Sequence, residues 1–284
     1  MEKQYLYLDT FASVRVASDA ALASAAKAYI LSENFVLVQS TMNLMELFSW
    51  PKRWSEVVSF VSSVPFCVAQ NTDKITAREV ASYPDELASL PVGFCSLDYS
   101  FSADELREAI SLHLQGKIAD FAENFKDSTT DALQSILSKR ESFLPEKSGR
   151  YTSVERQVFM QSSILSMLFP EHQDFLSKTL AAAMADGRKD GINIERFKSV
   201  YIQALAIFVE YYVQKKKGKT SDLGDILQLS LIPYVDLAVL DNERNNLIQR
   251  FNRDGLFPTH LRACNLSDFM AMITSGPYTP NLTK

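Results

Sequence analysis

Four short apolar runs, Tyr5–Leu8, Phe35–Val38, Phe66–Ala69 and Leu237–Leu240, each lead into a stretch with helical patterning. β-branched and aromatic residues crowd these runs, as a half-buried or fully buried strand requires. Between the first three lie helix signals: Ala17–Leu31 behind Ser18-Asp19, and Ser40-Thr41 opening a helix that breaks near Trp50-Pro51 and resumes to Ser63. A short helix around Thr76–Val80 follows the third. Strands that alternate with helices are joined by crossovers, so the pattern specifies an α/β fold with a mainly parallel sheet.

The alternation stops from Tyr83 to Asn193. Helical patterns dominate there, over Ala103–Gln115, Ile118–Arg140, Ser153–Phe169 and Glu171–Ala185, with turn chemistry at Pro145–Gly149 and Asp186–Gly191. Ile194–Gln214 is apolar almost all round, which predicts a buried helix. Thr220-Ser221 can cap a helix over Asp222–Leu231 that Pro233 stops. After the strand Leu237–Leu240 come a helix over Asn242–Phe251, a last short strand near His260–Ala263 and a closing helix, Leu266–Ile273. The expected organisation is a core whose halves are residues 1–82 and 194–284, with an all-helical insertion at 83–193.

A chain of 284 residues, 46% hydrophobic and 22% charged, can bury a sizeable core. No run approaches the roughly 20 apolar residues that span a bilayer. Met1–Gln4 leads straight into the first strand without a secretory pattern. Cys67, Cys95 and Cys264 are odd in number and in no metal-type spacing, which suits reduced core thiols. The expectation is a cytoplasmic protein with no membrane segment. The net charge of −5 does not favour a polyphosphate partner by itself. Lys215–Lys219 offers a local basic track, or simply a solvated helix end. His113, His172 and His260 stand alone, so zinc and hydrolytic triads lack support, and no glycine-rich phosphate loop is present. Trp50 and Trp54, with Lys52 and Arg53 between them, read either as base-stacking groups or as a packed bend.

The acids are placed more tellingly. Asp9 and Asp241 directly follow apolar strands, which puts them at the carboxyl edge of a parallel sheet, where α/β proteins bind ligands. Glu46 lies about one turn into the helix after the second strand, and Asp222 and Asp225 share a helix face near its start. Carboxylates converging without cations repel one another, and a divalent ion relieves that repulsion. Hard Mg²⁺ or Mn²⁺ takes such oxygen ligands and promotes phosphodiester hydrolysis.

With these residues in view, Tyr5–Thr10, Ser40–Leu47, Ser221–Leu227 and Pro233–Asp241 resemble a PIN-like nuclease domain, over roughly residues 4–80 and 194–275. The resemblance implies a three-layer α/β/α core with a mainly parallel central sheet. It also implies a metal-dependent endonuclease, acting on RNA more often than DNA. Asp9, Glu46, Asp225 and Asp241 would hold Mg²⁺ or Mn²⁺, with Asp222 as an additional acid. Thr10, Ser40 and Asn43 would line the pocket and meet the substrate. Each acid also has a plainer reading: Asp9, Asp222 and Asp241 as helix caps, Glu46 as a solvated helix residue. The rival function is accordingly a non-catalytic scaffold whose helical insertion binds a protein partner. Cleavage of DNA or branched substrates is a third possibility.

Overall fold

The computed structural model describes residues 3–48, 50–97, 104–105, 108, 130–140, 151–185 and 191–275. The chain gathers into two compact units, one of Met1–Gln70, Val92–Ile118 and Tyr234–Lys284, the other of Asn71–Pro91 and Ala119–Pro233. The first carries the sheet; among the described residues the second is helical. No helix of the described residues is long and apolar enough to cross a membrane.

In the sheet unit, β1 (Gln4–Leu8), β2 (Phe35–Gln39), β3 (Phe66–Ala69), β4 (Val92–Ser96), β5 (Leu237–Leu240) and β6 (Ala263–Asn265) form one sheet in the order β4-β3-β2-β1-β5-β6. Every pair is parallel except β3 with β4. The fold is therefore α/β with a mostly parallel sheet flanked by helices, as the alternation of strand and helix signals required. β1 pairs with both β2 and β5, so the direction of strand addition reverses there. The crevice above such a reversal, at the carboxyl ends of the strands, is where doubly wound sheets bind ligands.

Strand alternation sorts the side chains. Leu6 and Leu8, Leu37, Val68 and Val239 enter one core with Trp54 and Phe269. Helices α1 (Thr10–Ala17), α2 (Ala20–Ser32), α4 (Pro51–Val61) and α10 (Leu266–Ser275) cover that face, supplying Val16, Ile30, Val57 and Phe269. From β1 the chain moves to one side through α1 and α2; from β5 it moves to the other through α9 (Asn242–Arg253). Because such crossovers are right-handed, α9 falls on the opposite face, where it buries Leu247, Ile248 and Phe251. At the amino edge, Asp236 exchanges backbone and side-chain bonds with Tyr5: its carboxylate accepts the Tyr5 N–H at 2.7 Å and its own N–H reaches Tyr5 O at 2.8 Å. Asp236 is thus a latch at the end of the ladder away from Asp9.

Three expectations need correction. β4 lies in the stretch read as purely helical. Its register jumps between Val68 and Ala69, pairing them with Phe94 and Val92, so Gly93 is the extra, unpaired residue of a bulge. A glycine mid-run, behind Pro91, masks the strand signal. The helix expected at Ile194–Gln214 is three pieces: a 3-10 turn at Ile194–Arg196, α7 (Lys198–Ile207) and a π-helical turn, Phe208–Val213. It is nonetheless buried all along, from Ser199 to Tyr212. The last strand begins at Ala263, where the expected one ended. The two helices foreseen on either side of Pro170 are both present within α6 (Ser153–Ala185), meeting at a kink where His172 leaves helical geometry (φ −131°, ψ 29°). The helix expected at Ala103–Gln115, the first part of that at Ile118–Arg140, and the loops at 145–149 and 186–190 lie mostly or wholly outside the described residues.

The helical unit has its own core of aromatic rings. Phe159, Phe208 and Tyr212 pack at centroid distances of 4.6–6.4 Å. The chain leaves the π turn through Gly218 at φ +74°, where an added Cβ would stand 2.8 Å from Leu133 Cδ1 and Tyr211 Cε1. Backbone and packing both demand glycine there. Lys216 turns inward to Glu210 and Asp222, at 3.7 and 3.4 Å, so this part of the lysine run is not a free basic track.

Candidate functional site

At the carboxyl edge the β1–β5 ladder ends in an exchange between two acids. Asp9 N–H donates to Val239 O at 3.0 Å, and the Asp9 carboxylate then takes the place of the next ladder acceptor, receiving the Asp241 N–H at 2.7 Å. Its other oxygen accepts Ala12 N–H at 2.6 Å and caps α1. Asp241 repeats the device on the opposite face, accepting Arg244 N–H at 2.8 Å and capping α9. Both residues have extended backbone (φ −63° and −61°), which N-caps require, so strand, acid and helix follow one another by local rules. The two acids flank the point where strand order reverses.

Glu46 joins them from α3 (Thr41–Phe48). The Thr10 hydroxyl donates to Glu46 Oε2, tying the first turn of α1 to α3. Glu46 is exposed, Asp9 and Asp241 half-buried. Burial pushes the Asp9 carboxyl up from its ordinary 3.8 to about 6, and the negative charges of Asp241 and Glu46 add to the rise. The amide donors at Ala12 and Asp241 pull the other way without cancelling it. Of the acids expected to gather, Asp241 and Glu46 each act electrostatically on Asp9 within the sheet unit.

Ser40 and Asn43 stand beneath them. Asn43 is fully buried: its Oδ1 accepts from Tyr7 Oη at 3.0 Å and Ser40 Oγ at 2.8 Å, and its Nδ2 donates to Leu8 O at 2.8 Å. Ser40, 5% exposed, accepts Asn43 N–H at 2.9 Å and so caps α3. In this arrangement Asn43 holds the end of β1, and therefore Asp9, in place; a fully buried amide is a support beneath the edge, not a surface that meets substrate. Asn43→Ala removes the acceptor shared by the Tyr7 and Ser40 hydroxyls and one of the donors to the Leu8 carbonyl, which keeps the Ser13 hydroxyl at 3.3 Å, so the expected cost is about 1–3 kcal/mol in all. Chemical denaturation is expected to show a loss of that order, with the folded state retained.

Asp222 and Asp225 belong to the helical unit, on α8 (Thr220–Gln228). Asp222 is 8% exposed, accepts Lys219 N–H at 2.8 Å at the start of the helix, and pairs with Lys216. Its carboxylate is committed to ending the lysine-rich turn, the plainer of its two readings. Asp225 is half-buried one turn on. Of the two tryptophans, Trp54 is core at 2% exposure while Trp50 is 59% exposed, and Arg53 is held by Ser18 and Glu56.

One residue escaped the sequence reading. Gln39, the last residue of β2, is fully buried, and its Oε1 accepts no hydrogen bond among the described residues. A polar residue closing an otherwise apolar strand was the available signal. The donor set at this edge is all oxygen, which suits a hard cation. Among the described residues no group of three His, Cys, Asp or Glu side chains is disposed to hold a metal ion. Mg²⁺ is commonly retained by one or two carboxylates with waters completing its shell, so the donor chemistry of the Asp9–Asp241 pair fits it. No family model, curated protein or solved structure matches the chain.

Proposed function

We propose that the protein is a Mg²⁺- or Mn²⁺-dependent nuclease of PIN-like type, most favourably an endoribonuclease, with Asp9 and Asp241 as direct ligands and Glu46 as a water-mediated one. The observation that carries this reading is the meeting of Asp9 and Asp241 at the carboxyl edge where strand order reverses, the Asp9 carboxylate receiving the Asp241 N–H at 2.7 Å; the raised pKa of Asp9 agrees with it. As an N-cap, Asp is worth about 1 kcal/mol, and Asn caps equally well without a charge. A carboxyl pushed from 3.8 to about 6 sacrifices about 3 kcal/mol of stability at neutral pH. Capping alone does not balance that cost; a bound cation does. Asp225, on α8 of the helical unit, is not part of this ligand set.

When bound, a divalent ion supplies an activated water and neutralises phosphate charge. The residues of the chain do the positioning. Asp9 is held by two amide bonds, Asp241 by its cap, and Glu46 by Thr10, so these carboxylates would hold the ion with little rearrangement of their own. The N-termini of α1 and α9 both lie at this edge, and a helix N-terminus favours a phosphate. No protein nucleophile is needed.

The capping role of both acids is also what favours the rival reading, a non-catalytic scaffold that binds a protein partner. Incubating the purified chain with an RNA pool, single-stranded DNA and branched DNA, each with and without Mn²⁺, separates the two. Cleavage of RNA only with metal, retained in Asp236→Asn, is the expected result; no cleavage of any substrate across divalent metals supports the scaffold.

A further inference from the structure

Two of the three cysteines lie side by side. Cys67 of β3 and Cys95 of β4 are direct cross-strand partners in the antiparallel pair, so their side chains share one face of the sheet. Each raises the pKa of the same Tyr5, and the charge of Cys95 raises that of Cys67, so the thiols are electrostatic neighbours as well as register partners. Cys67 is buried at 1% exposure, and Cys95 is exposed on the edge strand.

We propose that Cys67 and Cys95 are an oxidisable pair that closes into an intrachain disulfide, pinning the edge strand β4 to β3. Residues directly opposite in an antiparallel pair have Cβ atoms about 4.5–5.5 Å apart, and a disulfide needs about 3.5–4.5 Å. The difference is within what this edge can give. β4 has a single neighbour in the sheet, and the bulge at Gly93, two residues before Cys95, has already loosened the ladder.

The chemistry is thiol–disulfide exchange with a small-molecule disulfide as oxidant. The exposed Cys95 sulfur attacks one sulfur of the oxidant, and the oxidant's S–S bond breaks and releases one thiol. The Cys67 sulfur then attacks Cys95 Sγ, displacing the second half of the oxidant as thiol. Two protein thiols lose two hydrogens, and one oxidant disulfide becomes two thiols. Burial pushes Cys67 up to about 12, so Cys95 is the point of entry, and Cys67 gives its proton to the departing thiolate as it attacks. Cys264, pushed up to about 12 by burial and lying on β6 at the far edge, has no such partner in register. The link would close a loop from β3 to β4 and raise stability by constraining the unfolded chain. It also removes the freedom of an exposed edge strand to peel away.

The test uses the full chain, folded, treated with oxidised glutathione and then examined by intact mass, non-reducing peptide mapping and thermal melting. The expected product is a monomer lighter by about 2 Da, with a Cys67–Cys95 linked peptide, one alkylatable thiol left after denaturation, and a melting point raised by several degrees. Cys95→Ser, an exposed change, should show neither the mass loss nor the melting shift. A glutathione adduct that persists on Cys95, a Cys95–Cys95 dimer between chains, or three free thiols after treatment overturns the proposal.

Discussion

Asp9→Asn is expected to reduce metal-dependent cleavage by at least about 10²-fold, because removing a metal ligand forfeits several kcal/mol of charge stabilisation and each 1.36 kcal/mol is tenfold in rate. The fold should survive. Asparagine can still accept Ala12 N–H and cap α1, although its amide cannot accept the Asp241 N–H that Asp9 now receives. Asp241→Asn should act likewise, and Glu46→Gln less severely, since Glu46 is exposed and placed to act through water. Initial rates on one RNA at saturating Mn²⁺, with circular dichroism to verify folding, measure the effect. Full activity in Asp9→Asn would remove Asp9 from the mechanism.

The second large effect is a pH dependence of stability that metal reverses. The folded protein keeps the Asp9 proton to about pH 6, while in the unfolded chain the group titrates near 3.8. Folding therefore takes up a proton in that window. The stabilisation is complete below about pH 4 and is lost as pH rises through about 6, amounting to about 3 kcal/mol. Wild type without metal is expected to lose that much more stability than Asp9→Asn between pH 4 and 7.5 in paired denaturation curves. Mn²⁺ binds the ionised form, so it should restore stability at pH 7.5 and do little at pH 4.5. Parallel curves for the two proteins would show that Asp9 titrates normally in the folded state.

What the sequence revealed divides along the range of the forces involved. β1, β2, β3 and β5 were legible because their apolar runs are contiguous and buried on both faces. β4 was not, because its pairing comes from β3 and its strand pattern is broken by a bulged glycine. The three-part helix at Ile194–Val213 kept its apolar signature while its hydrogen-bond pattern changed, and periodicity reports only the former. Asp9 and Asp241 were legible as edge residues because strand end and helix cap are both local events. Asn43 was misread as facing the pocket, since its burial is set by Tyr7, 36 residues earlier in the chain. Asp222 followed its local chemistry and became a cap. The grouping of α7 and α8 with the helical unit depends on packing that no local pattern encodes.

Whether Asp9 and Asp241 form a cation site is read most directly by Mn²⁺ binding followed by electron paramagnetic resonance at pH 7.5. Wild type should sequester one or two Mn²⁺ per chain, with the capacity lost in Asp9→Asn and unchanged in Asp236→Asn. A wild-type chain that leaves all Mn²⁺ free at millimolar concentration, or an Asp9→Asn chain that binds as wild type does, contradicts it.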